Sequence, residues 1–316
     1  MLAPRKISIG TRGSILALMQ AKEVRDQIIS THTDYQNSPH LISIVPFKTT
    51  GDKIIDRSLV EIGGKGLFIK EIEEALLNNF SGSAQIDIAV HSMKDMPSFF
   101  SDGLGIFAIP QRKDARDAFI STKYSTISNL PLHACVGSSS PRRAALILNQ
   151  RPDLKIINFR GNIDTRLKKL NTNQVAATIL AVAGLERISM QNHITKILDE
   201  DEMLPAVGQG ALALQAKNND DFIIKLLEPL NHLNSQICID AERAFLKTIN
   251  GSCKTPLAAN CKIKNGQLHL QALLASLDGK EIYKTSRTSD LNDAVKIGND
   301  AGKEIKIIGR HILDNL

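Results

Sequence analysis

Three polar segments of the 316-residue chain bring cations to places where a helix is about to begin. Gly10-Thr11-Arg12-Gly13-Ser14 offers backbone N–H groups, the Ser14 hydroxyl and the Arg12 guanidinium at a helix N-terminus, a ready seat for an anion. Val136-Gly137-Ser138-Ser139-Ser140-Pro141-Arg142-Arg143 is the stronger signal. Ser140 is a natural N-cap and Pro141 suits the first helical position, so Arg142 and Arg143 fall in the first turn. Cations there oppose the helix dipole by about 0.3–1 kcal/mol each unless an anion lies opposite. Phe159-Arg160-Gly161-Asn162-Ile163-Asp164-Thr165-Arg166 repeats the arrangement, with Arg160 ending a strand and Arg166 one turn into a helix. Each segment alone also reads as a solvated basic turn. Three in one chain point to a ligand with several carboxylates or phosphates.

Two further segments carry reactive groups. Val90-His91-Ser92-Met93-Lys94-Asp95-Met96-Pro97 follows a buried-strand pattern and sets a base, a hydroxyl, a cation and an acid within five residues. Asp95 suits proton transfer, although its spacing also fits a helix cap or a solvated turn carboxylate. Cys253 lies in the polar turn Asn250-Gly251-Ser252-Cys253-Lys254-Thr255-Pro256, where Lys254 favours a thiolate. Cys135 and Cys238 sit in apolar runs and read as buried thiols, and no His stands at zinc-ligand spacing from Cys253 or Cys261. No metal site is expected. Gly63-Gly64-Lys65-Gly66 resembles a phosphate loop but lacks the following Ser or Thr and the upstream Gly. G-x-G-x-x-G, H-E-x-x-H and G-x-S-x-G are absent, which counts against nucleotide-kinase, zinc-hydrolase and serine-hydrolase readings.

Those segments sit at turns of a βα alternation. Strand patterns at Lys6–Gly10, Leu41–Phe47, Ile86–Val90, Cys135–Val136, Ile156–Phe159 and Val175–Val182 alternate with helical patterns after Ser14, over Leu67–Phe80, from Pro141, and through Leu170. Such alternation predicts largely parallel sheets with ligands beyond the strand C-termini. Thr50 to Gly64, polar and bracketed by glycines, is expected to be a mobile lid. Beyond about residue 232 the pattern changes. A helix over Ser235–Ile249 precedes strands Leu268–Leu277 and Glu281–Ser286, which flank the hairpin signal Asp278-Gly279, and helical spacing returns from Ala294. The expected organisation is α/β with three domains: 1–110 plus 211–230, 111–210, and a small α+β domain over 231–316.

Composition narrows the partner. The chain has 39 Lys and Arg against 33 Asp and Glu, a net charge of +6, which suits an anionic partner. Ten Phe, three Tyr and no Trp are few for stacking bases, and no run of five Lys or Arg occurs, so nucleic acid is disfavoured. The longest apolar stretch, Val175–Leu185, is short of the ~20 residues a membrane helix needs. With no apolar leader at the start, a cytoplasmic protein, acting as a monomer, is expected.

Taken together, these segments resemble the hydroxymethylbilane synthase (porphobilinogen deaminase) family. The likeness runs through Ile9-Gly10-Thr11-Arg12, Gly63 to Phe68, Asp87 to Asp95, Ser139 to Arg143, Arg160-Gly161-Asn162, Leu180 to Leu185, Leu204 to Ala211, Glu242-Arg243 and Cys253. It implies head-to-tail condensation of four porphobilinogen units with loss of ammonia, on a dipyrromethane cofactor joined to Cys253 by a thioether. It implies that Asp95 is the catalytic carboxylate. Arg12, Arg142, Arg143, Arg160, Arg166 and Arg187, with Lys65, Lys94, Ser14 and Ser140, are then the groups for substrate and cofactor carboxylates. The implied architecture is two similar α/β domains flanking a cleft, as in periplasmic binding proteins, plus the small C-terminal domain. Pro141 and Ser252 depart from the family pattern, and Ser252 would resist a positive φ at the cofactor turn. A two-domain anion-binding protein of transport-receptor type is the alternative; it explains the arginines but not Cys253.

Overall fold

Residues 4–50, 69–77, 85–252 and 254–315 are described in a computed structural model of the chain. The strands are β1 (Ile7–Arg12), β2 (Ile42–Phe47), β3 (Ile88–Ser92), β4 (Leu104–Ala108), β5 (Asp117–Ile120), β6 (Cys135–Gly137) and β7 (Lys155–Ile157). They continue with β8 (Ala177–Ala181), β9 (Lys196–Ile197), β10 (Leu212–Lys217), β11 (Leu257–Lys264), β12 (Gln267–Ala275) and β13 (Ile282–Ser289). They form two five-stranded sheets, ordered β2-β1-β3-β10-β4 and β7-β6-β8-β5-β9, and a three-stranded sheet β11-β12-β13.

The two larger sheets share one plan. In each, a central strand is parallel to both its neighbours: β1 to β2 and β3, and β6 to β7 and β8. The fourth place goes to an antiparallel strand, β10 in the first sheet and β5 in the second. The expectation of largely parallel sheets is corrected by those two strands. Parallel neighbours need a crossover, usually a helix, and helices Ile15–Thr31, Lys70–Leu76, Pro141–Gln150 and Ile163–Asn171 supply one after β1, β2, β6 and β7. No helix separates β4 from β5 or β9 from β10. Each antiparallel strand therefore directly follows an edge strand of the other sheet, β5 after β4 and β10 after β9, and is exempt from the crossover rule.

The chain divides into two compact units. The first holds the first sheet and takes in Ala211–Gln236; the second holds Lys113–Gly210 and the chain from Ile237. Within the first, Ile7, Ile9, Ile88, Val90, Leu212 and Leu214 meet Val24 and Ile28 of the first helix and Ile223 and Leu226 of a later one. The first helix is amphipathic as its spacing predicts, burying Ala17, Ala21, Val24 and Ile28.

Within the second unit, Ala258, Leu273 and Ala275 of the three-stranded sheet join the core of the second sheet at Phe119, Val136, Ile147 and Ile179. The Asp278-Gly279 turn is the hairpin expected, with Gly279 at φ +71. A Cβ there would stand 2.3 Å from Ala145 O, so only glycine lets the turn sit on the Pro141–Gln150 helix, where Asn149 Nδ2 donates to its carbonyl at 2.9 Å. Helices Leu233–Ile249 and Ala294–Ile308 cover the other face, through Phe245, Ala301 and Ile305. The helix expected over Leu67–Phe80 runs from Lys70 to Leu76, and Leu77 caps it.

Candidate active site

In the first unit, chemistry gathers at the C-terminal ends of β1 and β3. Parallel pairing sets Gly10 beside Ala89, and the buried Thr11 hydroxyl lies 3.2 Å from Val90 O, so Arg12 emerges next to the chain that leaves β3. That chain turns at once into a 3-10 turn, Met93–Asp95. Met93 and Met96 are buried on either side, Met93 N donates to Ala211 O at 3.0 Å, and Gln20 Nε2 donates to Ser92 Oγ at 2.8 Å. The anchored turn presents Asp95, with Oδ2 3.9 Å from Arg12 Nη1 and side-chain exposures of 33% and 24%. Lys94 is exposed. Ser14 is the N-cap of the Ile15–Thr31 helix, its Oγ accepting from Ala17 N. His91 is buried, and burial aided by the Arg12 charge pushes its pKa down to about 4 against the opposing hydrogen bond with Gln215.

In the second unit, Ser140 caps the Pro141–Gln150 helix, accepting from Arg143 N at 3.4 Å, and Pro141 stands at its start as expected. An anion does lie opposite the arginines, but it belongs to the chain. Asp117, first residue of β5 and fully buried, receives Arg142 Nη2 on Oδ2 and Arg143 Nη2 on Oδ1, each at 2.7 Å. Arg142 Nη1 also donates to Leu204 O (2.6 Å) and Arg143 Nη1 to Ile179 O (2.9 Å). Gln209 Nε2 donates to Asp117 Oδ1 (2.9 Å) and Ala115 O (2.7 Å). Burial alone would raise the Asp117 pKa; the two guanidiniums outweigh it and hold the carboxyl below the usual carboxylate range. Burial lowers the Arg142 pKa. Arg142 and Arg143, expected to hold ligand carboxylates, thus spend their terminal nitrogens on acceptors within the chain. The buried Nε of each has no partner among the described residues.

Two cations around one anion leave a surplus positive charge. Arg166 feels it. Its Nε donates to Gly161 O at 2.9 Å, and burial together with the charges of Arg143 and Arg160 pushes its pKa down to about 10. Arg187 is buried with Nη2 3.2 Å from Gly210 O. Sequence reasoning found every one of these arginines and missed Asp117. Its signal was an acid opening the apolar run Ala118-Phe119-Ile120.

Lys65, Cys253 and the lid expected over 50–64, apart from Thr50, lie outside the described residues. On either side of Cys253, Ser252 N donates to Thr255 Oγ1 and Lys254 N to Ser252 Oγ, each at 3.2 Å. Among the described residues of this turn Asn250 is left-handed (φ 59), and Ser252 does not have the positive φ expected of it. Cys238 and Cys261 are buried, and Cys135 is half-buried rather than buried. Among the described residues no group of His, Cys, Asp and Glu could hold a metal, and no helix is long and apolar enough to cross a membrane.

A dipyrromethane, with its several carboxylates, fits this donor set. The arginines carry surplus charge, two buried Nε atoms have no acceptor among the described residues, and Arg166 is a cation that an anion would relieve. The fold is α/β, with a partly exposed carboxylate beside an arginine in the first unit and, in the second, buried arginines gathered around an aspartate.

Comparison with known proteins makes this specific. Residues 7–225 match the family described as porphobilinogen deaminase, dipyrromethane cofactor binding domain, and residues 236–307 match porphobilinogen deaminase, C-terminal domain. The chain is 47% identical over 301 residues to the porphobilinogen deaminase of a Wolbachia species, covering 95% of this chain and 98% of that one. It is 45% identical over 299 residues to that of Nitrobacter hamburgensis (95% and 92% covered) and 46% over 303 to the chloroplastic protein of Oryza sativa (95% and 83%). Among solved structures it is similar to an arginine-specific periplasmic binding protein of Salmonella typhimurium, with TM-score 0.40 and 11% identity over 76% of this chain and 94% of that one. The chain belongs to the porphobilinogen deaminase family, and it is an enzyme that carries the family's dipyrromethane-cofactor domain.

Proposed function

We propose that the chain condenses four porphobilinogen molecules head to tail and releases linear hydroxymethylbilane by hydrolysis, with Asp95 as the catalytic carboxylate. In each condensation the C–N bond of the aminomethyl group breaks and ammonia leaves. The freed methylene carbon bonds to the α-carbon of the terminal pyrrole, which gives up its proton. Four condensations release four ammonia molecules, and the final hydrolysis consumes one water.

Loss of ammonia leaves a cation on the incoming ring. The observation that carries the proposal is the anchored, one-third-exposed Asp95 with Arg12 at 3.9 Å, a fixed negative charge placed to stabilise such a cation. The same group accepts the α-proton as a carboxylate and, once protonated, returns that proton to the leaving amine. Bound dipyrromethane supplies the nucleophilic pyrrole on which the chain grows. Arg12, Arg160, Arg166 and Arg187, with Lys65, Lys94, Ser14 and Ser140, hold acetate and propionate groups, at about 1.5–3 kcal/mol for each charge-assisted bond. Arg142 and Arg143 contribute through their Nε atoms and surplus charge, and Cys253 is the point of covalent attachment. The reading extends to a cytoplasmic monomer with domains 1–110 plus 211–230, 111–210 and 231–316.

The loaded protein should give a dipyrromethane colour with Ehrlich's reagent after denaturation, an adduct on the Cys253 peptide alone, and four ammonia molecules per tetrapyrrole. An unmodified Cys253 peptide in active protein overturns the attachment. Absence of both colour and turnover overturns the function and returns the anion-binding alternative, which needs neither.

A further inference from the structure

His91, Gln215 and Glu73 form a buried chain of polar groups that ends at the exposed Ser101. In the antiparallel pairing of β3 and β10, His91 lies opposite Ala213 and Ala89 opposite Gln215, so His91 and Gln215 are diagonal neighbours on one face. The Lys70–Leu76 helix packs Ile72, Ala75 and Leu76 onto that face around Ala89 and brings Glu73 to Gln215.

We propose that Glu73 is a positioning residue for the Asp95 site, acting through Gln215 to fix the tautomer of His91. The reasoning is one of donors and acceptors. A carboxylate only accepts. Ser101 Oγ donates to Glu73 Oε2 at 2.6 Å, and Glu73 Oε1 lies 2.6 Å from Gln215 Nε2, so the Gln215 amide must turn its NH2 to Glu73. Its carbonyl oxygen then faces His91, 3.1 Å from ring Nε2, and Nε2 must carry the proton. A buried neutral ring with hydrogen on Nε2 has a bare Nδ1. Glu73 thus decides a proton position two groups away.

The ring stands four residues before Asp95 and within the field of Arg12, the charged group that acts on it most directly. A neutral ring leaves the Arg12 charge to Asp95 and to incoming carboxylates, whereas an imidazolium would repel Arg12 and compete for Asp95. The proposal rests on Asp95 being the catalytic carboxylate, and the first measurement below is independent of turnover, so either can fail alone.

The test uses full-length, cofactor-loaded protein with 15N-labelled histidine, the His91 signals being those lost in His91→Asn. Wild-type His91 should show hydrogen on Nε2 alone. In Glu73→Gln the new amide can donate to the Gln215 oxygen, so the His91 tautomer should reverse or mix, with kcat several-fold lower. That loss should vanish in a His91→Leu background, because the effect passes through the ring. Hydrogen on Nδ1 in the wild type overturns the proposal even if no variant folds. So does an unchanged tautomer in Glu73→Gln, a changed tautomer with unchanged kcat, or a rate loss that persists without His91.

Discussion

In the first sheet, the arginine that ends β1 meets Asp95 at 3.9 Å, with a quarter to a third of each side chain open to solvent. In the second, the arginines that follow β6 meet Asp117 at 2.7 Å, with the carboxylate fully buried. The two sites occupy matching places in matching sheets, after the central strand and at a serine-capped helix. What differs is the source of the acid. Asp117 arrives on the antiparallel strand β5, deep in the sheet, whereas Asp95 sits on a turn beyond β3. A tight buried ion pair spends its Coulomb energy on desolvation and on fixing geometry. A loose, half-exposed one keeps charge available to a ligand. The first sheet holds the proposed reacting group, and the second holds a braced set of cations.

Substitution at the two acids should separate those roles, and the largest effect belongs to Asp95. Asp95→Asn keeps size and an acceptor but loses charge and proton transfer, so single-turnover bilane formation should fall by ~10²–10⁴, about 3–5 kcal/mol of barrier. Stability should change by no more than ~1 kcal/mol, since the group is a partly exposed turn residue. Asp95→Glu should retain measurable activity. A loaded Asn variant within tenfold of wild type would assign the chemistry to another group.

Asp117→Asn should do the reverse. It strands two buried guanidiniums, and breaking such a cluster costs about 3–5 kcal/mol in stability. Because the folded pKa of Asp117 is depressed, its contribution is fully present above the unfolded carboxylate value of about 3.9 and is lost as pH falls through the folded value. Urea unfolding between pH 7 and pH 2 should show this acid-side loss in wild type, and the variant should lack that component. Equal stability of variant and wild type at pH 7 contradicts the bracing role.

His91 belongs to the first sheet and has the opposite chemistry. Its pKa is lowered from 6.5 to about 4, so between those values the unfolded chain binds a proton that the folded one refuses. Stability should therefore be full above pH 6.5 and fall by about 3 kcal/mol on going down to pH 4. His91→Leu should flatten that slope. The two profiles have distinct acid windows, 6.5 to 4 for His91 and below about 4 for Asp117, so one pH series resolves both.

Much of this was legible in the sequence because it is local. Ser14, Ser140 and Pro141 announce helix starts, and apolar spacing announces the buried faces, since caps and periodicity act within a turn or two. Asp117 was not legible as the partner of Arg142 and Arg143, because the pairing spans 25 residues and depends on β5 entering the sheet antiparallel. β10 was hidden for the same reason: its neighbours are β3 and β4, over a hundred residues earlier. β11 was missed because Leu257-Ala258-Ala259-Asn260-Cys261 is poor in the β-branched residues that mark strands. Glu73 read as an ordinary helix residue, and Gln215 lay in the unrecognised β10, until the fold joined them.

The smallest effect tests whether the matching serines also match in function. Ser14 and Ser140 each accept a backbone N–H at the start of a helix, from Ala17 at 3.3 Å and Arg143 at 3.4 Å. Removing an N-cap hydroxyl costs about 1 kcal/mol, so Ser14→Ala and Ser140→Ala should lower stability by similar amounts. A hydroxyl that accepts a cap bond still has its own proton to donate. If both serines also donate to ligand carboxylates, each Ala variant should raise KM for porphobilinogen or slow cofactor loading, and Thr at either position should restore both stability and binding. Aspartate would restore the cap but carries a negative charge, so Ser14→Asp and Ser140→Asp should stabilise the helix and weaken binding if these are carboxylate-binding positions. Normal loading and turnover in both of those aspartate variants would leave the two serines as caps alone, and the carboxylates to the arginines.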